Sequence, residues 1–154
     1  MRKRRPNSGQ SLIEFALIFP IIFFLITGFL DMGRAVFYYS SLTGAVREGA
    51  RYATVHGTDL NAAITNPTSN PIVDKVRAFT FAITLPGNAV NVGVYKDEIN
   101  LCTSVNTCPA KIKVSVTATY LFKPVTPGIK YIFGTKTGIT ITAHSTMRVA
   151  PASR

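Results

Sequence analysis

An α+β fold, in which one long N-terminal helix packs on a small antiparallel β-sheet head, follows from three features of this 154-residue sequence. The nineteen residues from Leu12 to Leu30 carry a single charge, Glu14, and lead into a mixed polar and apolar run to His56 with no Gly-Pro or Asn-Pro break. After Pro86-Gly87-Asn88 the apolar period becomes two, as in half-buried strands. A sheet with one apolar face needs a cover, and the second half of the long helix is the amphipathic element available.

The helix divides at Leu30. Nineteen apolar residues are about the length that crosses a bilayer, so 12–30 is the expected span and 31–56 its amphipathic continuation. A secretory signal would have a shorter apolar region and a small-x-small cleavage site; here the run passes directly into "DMGRAVFYYSSLTGAVREGARYATVHG". The net charge of +10 is unevenly placed: Arg2, Lys3, Arg4 and Arg5 precede the apolar run, residues 10–56 balance to zero, and ten cations against four acids follow. A basic cluster before an apolar helix stays on the cytoplasmic side, so residues 57–154 form an extracytoplasmic head.

Three features of the helix invite a role in contacts. Glu14 is an isolated carboxylate in an apolar run, an arrangement that is costly and is retained for a partner or a reaction. Pro20 lacks the N–H that would bond the Ala16 carbonyl, which predicts a bend or a loosened turn. Ala45, Gly49 and Ala53 recur every four residues, a stripe on which either a second helix or the chain's own head can approach closely.

Within the head, "GTDLNAAITNPTSNP" reads as loop. Asn70 can cap a helix, Pro71 suits its first position and Asp74 its first turns, which predicts a second helix from Ile72 to Leu85, stopped by Pro86-Gly87-Asn88. Alternation then marks strands around Val90, Val92 and Val94, from Ile112 to Phe122, and from Ile139 to Val149. Cys102 and Cys108, close in sequence and outside the cytoplasm, are expected to form a disulfide rather than a metal site.

No nucleotide-binding glycine loop, zinc spacing or nucleophile motif occurs, and neither a cofactor nor a metal is expected. Neighbouring residues on a strand point to opposite faces, so His144 and Ser145 make no catalytic pair. Lys111 and Lys113 share the polar face of one strand and Lys123 has the same parity just before Pro124. Such lysines keep a sheet edge soluble; nonspecific attraction of a polyanion such as DNA is the other use of that charge.

The basic leader ending in Gly9, the following "QSLIEFALIFP" with its glutamate five residues after the glycine, and the apolar helix together resemble a type IV prepilin signal. The continuation "GFLDMGRAVFYYSSLTGAVREGARYA", with a DxGR-type element and a terminal "REGAR", is similar to TadE-like pilins and pseudopilins of tight-adherence pili, over about Gly9 to Ala53. The resemblance implies a type IV pilin-like lollipop without enzymatic activity: a leader over 1–9, cleavage by a prepilin peptidase between Gly9 and Gln10, and a helix over 10–56. It also implies assembly with other pilin subunits by a platform and a cytoplasmic ATPase, leading from the membrane to a surface pilus used in adhesion. Glu14 would there meet the N-terminal amine of a neighbouring subunit, although an N-terminal Gln10 can cyclise and remove that amine. The alternative is a permanently anchored single-pass protein whose head binds an extracellular ligand or polyanion; leader cleavage separates the two.

Overall fold

The computed structural model describes residues 8–96, 102, 112–126 and 138–149. Helix α1 (Ser8–Val55) is a single 48-residue element, roughly 72 Å long at the usual rise. It passes through Pro20. Among the described residues nothing packs on its first half, and its second half carries the head, so the molecule is the α+β lollipop expected from the sequence.

One stripe of α1 explains the attachment. Asp31, Leu42, Ala45, Val46, Gly49, Ala50 and Ala53 are buried, a three-and-four spacing that keeps them on one face of the helix. That face meets a three-stranded antiparallel sheet and the helix α3 (Pro71–Phe79). The sheet runs β1 (Val90–Tyr95), β2 (Ile112–Phe122) and β3 (Ile139–Val149), in spatial order β1-β2-β3. Val92 pairs with Val116, and Val116 with Ser145, which aligns the inward valines with the helix. Val90, Val92, Val94, Val114 and Val116 are fully or almost fully buried, whereas Thr140, Thr142, His144, Thr146 and Arg148 are exposed. The alternation read from the sequence is therefore the burial pattern of β2 and β3.

The small-residue stripe has its occupant inside the chain. A Cβ on Gly49 would collide with Cγ2 of Val76 in α3 and lie 3.7 Å from Cγ1 of Val116 in β2. Ala45 and Ala53 are likewise buried in the core of the head. The stripe lets α3 and the sheet approach the helix, which leaves it unavailable to the helix of another molecule.

Two elements differ from expectation. The segment read as loop contains a short helix, α2 (Asp59–Thr65), which buries Leu60 and Ala63. Its i,i+3 apolar pair was the only signal among turn-forming neighbours. Helix α3 starts where the cap predicts, with Asn70 Oδ1 accepting from Val73 N at 3.0 Å and Pro71 in the first turn, but it ends at Phe79 rather than Leu85. The stop is tertiary. Ser41 of α1 donates from Oγ to the Phe81 carbonyl and accepts from the Phe81 N–H, at 3.2 and 3.1 Å, and Ala82 follows with φ 59°. Arg77 then holds the returning chain through the Gly87 carbonyl at 2.8 Å.

The packing separates two glycines of the same helix. Gly49→Ala must displace the buried, β-branched Val76, and overpacking of this kind is expected to destabilise the head by about 1–3 kcal/mol. Gly44→Ala meets nothing within 4 Å and is expected to be neutral or to stabilise by up to about 1 kcal/mol through helix propensity. Thermal unfolding of the two full-length variants checks the contrast; equal effects would mean that the Gly49 contact is not tight.

Candidate functional site

The free half of α1 is apolar and unaccompanied. Leu12, Ile13, Phe15, Leu17, Phe19, Ile22, Phe24, Leu25 and Phe29 are all exposed, and the most apolar stretch has a mean hydropathy of 2.4 with none of it buried. By length and composition this helix can cross a membrane. The polar exceptions take care of themselves where they can: Thr27 donates its hydroxyl to the carbonyls of Phe23 and Phe24, the back-bonding that lets a hydroxyl sit in an apolar helix.

Glu14 cannot do the same, because a carboxylate only accepts. It is exposed, and no ion pair or hydrogen bond reaches it from the described residues. Gln10 lies one turn earlier, and with Ile13, Leu17 and Ile18 the two polar residues line a shallow apolar groove on the helix. Gly9 is helical and open on all sides, with nothing within 4 Å of a Cβ built there. Gly9, Gln10, Glu14 and Pro20 thus sit together on the free half, while Ala45, Gly49 and Ala53 belong to the head.

Between the halves is a junction that sequence reasoning did not assign. Asp31, only 4% exposed, accepts from the Val125 N–H at 3.1 Å, the Thr126 N–H at 2.7 Å and the Thr126 hydroxyl at 2.7 Å. Arg34 adds an ion pair at 3.2 Å, and its guanidinium lies 5.8 and 5.6 Å from the ring centres of Tyr38 and Phe122. Burial alone would push the Asp31 carboxyl up, but the bonds from Thr126 and Val125 together with the Arg34 charge outweigh it and hold the group below the usual carboxylate value. The signal was present in "DMGR": an acid and an arginine three apart on a helix. Its partners, ninety residues later, carry no sequence mark.

At the far end of the head, Tyr52 donates to Asp59 at 3.0 Å and stacks on His56 with centroids 4.0 Å apart, which ties the end of α1 to α2. Cys102 is buried, its N–H bonds to the Val94 carbonyl at 2.8 Å, and no free cysteine occurs among the described residues. Cys108 and Lys111 lie outside the described residues. Lys123 is exposed just beyond β2, and His144 is exposed on β3. Among the described residues no cluster of His, Cys, Asp or Glu could hold a metal ion.

Residues 9–51 match the family model described as TadE-like protein. The matched segment is the free half of α1, the Asp31 junction and most of the stripe that carries the head. The N-terminal helix is therefore similar to that of TadE-like proteins, a family related to tight-adherence pili. No curated protein and no solved structure matches the chain significantly.

The junction makes a pH-dependent prediction. A carboxyl held below its ordinary value contributes stability that is complete above the unfolded-state pKa and is lost as pH falls through the folded-state value. Hydrogen exchange at the Val125 and Thr126 amides is therefore expected to be slow, relative to unstructured amides, near neutrality and to lose protection below about pH 4. Asp31→Ala, which leaves two N–H groups and a hydroxyl without their acceptor, is expected to cost about 2–4 kcal/mol and to abolish the pH dependence. Protection that is flat in pH for the native chain would contradict the assignment.

Proposed function

We propose that this protein is a structural subunit, a pilin or minor pilin, of a tight-adherence pilus, and has no catalytic role. The observation that carries the reading is the coincidence of the TadE-like match over residues 9–51 with a helix whose first half is apolar and is not covered by any of the described residues. Such a face is tolerated in lipid, or among identical helices in a filament core. The same surface serves both states, so the subunit exchanges one apolar environment for another.

In this reading the leader is removed between Gly9 and Gln10 by a prepilin peptidase, the N-terminus faces the cytoplasm before assembly, and a platform and ATPase move the subunit into a surface filament for adhesion. Glu14 then acquires its partner. In the membrane it lies near the interface, where water and headgroups reach it, at a cost below the roughly 2.5–3.5 kcal/mol assigned to a charge at a helix centre. Packed helices close that route, and the carboxylate needs a donor from a neighbouring subunit. Pro20 leaves the Ala16 carbonyl without its helical donor, a second group that a neighbour can satisfy.

Glu14→Ala is expected to insert in the membrane and lose its leader normally, yet to be missing from sheared surface filaments, as read by immunoblots of the membrane and shear fractions. Glu14→Gln is expected to be milder if the partner is the amide of a cyclised Gln10 and as severe as alanine if it is a charged amine. Normal incorporation of Glu14→Ala would remove the assembly role.

A Cys102–Cys108 disulfide would close a short loop in the sequence between β1 and β2, with a contribution of roughly 2–3 kcal/mol in the chain-entropy model. Non-reducing mass spectrometry of surface protein is expected to find the pair joined; two free thiols would reject it.

A further inference from the structure

The anchored reading leaves one cleft on the flank of the neck without a use. Arg34, Tyr38, Pro86, Tyr120, Leu121 and Lys123 line an open cavity of about 380 Å³. Two cations and two phenols line it and, among the described residues, no acid does: the nearest carboxylate described above, Asp31, is buried and already accepts from Val125, Thr126 and Arg34. Arg34 keeps 43% of its side chain exposed despite that ion pair. Lys123 makes no hydrogen bond or ion pair among the described residues and is exposed. A compact anion rich in oxygen fits such a lining.

Height along the helix identifies the source of that anion. Asp31 directly follows Leu30, the last residue of the expected span, and the Val125 N–H hangs on its carboxylate. Arg34 lies four residues beyond Leu30, about 6 Å along the axis, and the polar layer on each side of a bilayer is roughly 5–8 Å deep. Arg34 therefore falls within the headgroup layer. At the same level the head exposes two apolar side chains, Val125 at 73% and Leu121 at 42%, which a polar filament exterior or bulk water would not favour and which the acyl boundary would accept. Long cationic side chains beside apolar ones are the usual composition of a surface lying on a membrane.

We propose that this cleft binds the phosphate of a phospholipid headgroup in the leaflet on the head's side of the membrane, with Arg34 and Lys123 supplying the charge. The proposal rests on the reading of Leu12 to Leu30 as a membrane span. Its consequence is a head seated on the bilayer before assembly, in a fixed orientation because α1 and the head are joined at Asp31. Entry into a filament then has to break the lipid contact as well as withdraw the helix.

The test uses the full-length chain in nanodiscs of phosphatidylglycerol and phosphatidylcholine in equal parts, with a spin label carried either on lipid headgroups or deep in the acyl chains. The headgroup label is expected to broaden the amide signals of Tyr38, Leu121 and Lys123. Lys123→Gln is expected to reduce occupancy of the cleft about fivefold, the worth of one cation near an anionic surface, with the Val125 and Thr126 shifts unchanged as proof that the junction is intact. If the acyl label broadens residues 12–30 while the headgroup label leaves the three head amides sharp, the lipid site is overturned and the anchor stands. Broadening that persists undiminished in Lys123→Gln and Lys123→Glu also overturns it, since the head would then only lie near the bilayer. If the acyl label leaves residues 12–30 sharp, the span itself fails and the site fails with it.

Discussion

A single buried carboxylate determines how the two halves of this molecule relate. An apolar helix and a folded head can be joined by any linker, and a flexible one would let the head swing. Here α1 runs unbroken from one to the other, and Asp31 fixes the base of the head to it through the Val125 and Thr126 N–H groups and the Thr126 hydroxyl. Asp31 and Thr126 are two of the three buried polar residues among those described, the third being the helix cap Asn70. Charge-assisted bonds to main-chain N–H groups are stronger than neutral ones and impose direction, so the carboxylate sets orientation as well as adhesion.

The rest of the head can be derived from that fixed base. Above Asp31 the buried stripe of α1 is built from small residues and two larger ones, Leu42 and Val46. Close approach is bought with lost side-chain volume on the helix, and at Gly49 the volume is restored by Val76 from α3 and Val116 from β2. Tyr38 fills the space between stripe and junction, with its ring 5.4 Å from Tyr120 and 5.9 Å from Phe122. Tyr52, at the other end, closes the helix against α2. The head is held along the whole of its contact with α1, and this continuity is what allows the free half of the helix to act as a rigid handle.

Much of this was legible in the sequence because it depends on local period and local chemistry. The apolar run, the change to a period of two, and the Asn70-Pro71 helix start are each decided within a few residues, and the strands of the head follow the alternation read from them. What was not legible depends on partners far away in the chain. The end of α3 is set by Ser41, forty residues earlier; the acceptor role of Asp31 is set by Val125 and Thr126; and the stripe at Ala45, Gly49 and Ala53 fits either an internal or an external partner until the position of Val76 is known. Helix α2 escaped notice for a different reason. Seven residues among Gly, Asn, Pro and Thr have too little periodicity to outweigh their turn propensity.

The free apolar half of α1 is the feature on which the proposed function stands, and the exchange between membrane and filament proposed for it would require a processed N-terminus next to Glu14. The direct measurement is the intact mass, with N-terminal sequence, of this protein sheared from the cell surface. The account predicts a chain that starts at Gln10, with or without the loss of ammonia that marks a cyclised glutamine, recovered together with other pilus subunits. Surface protein that still carries Arg2 to Arg5 would contradict it.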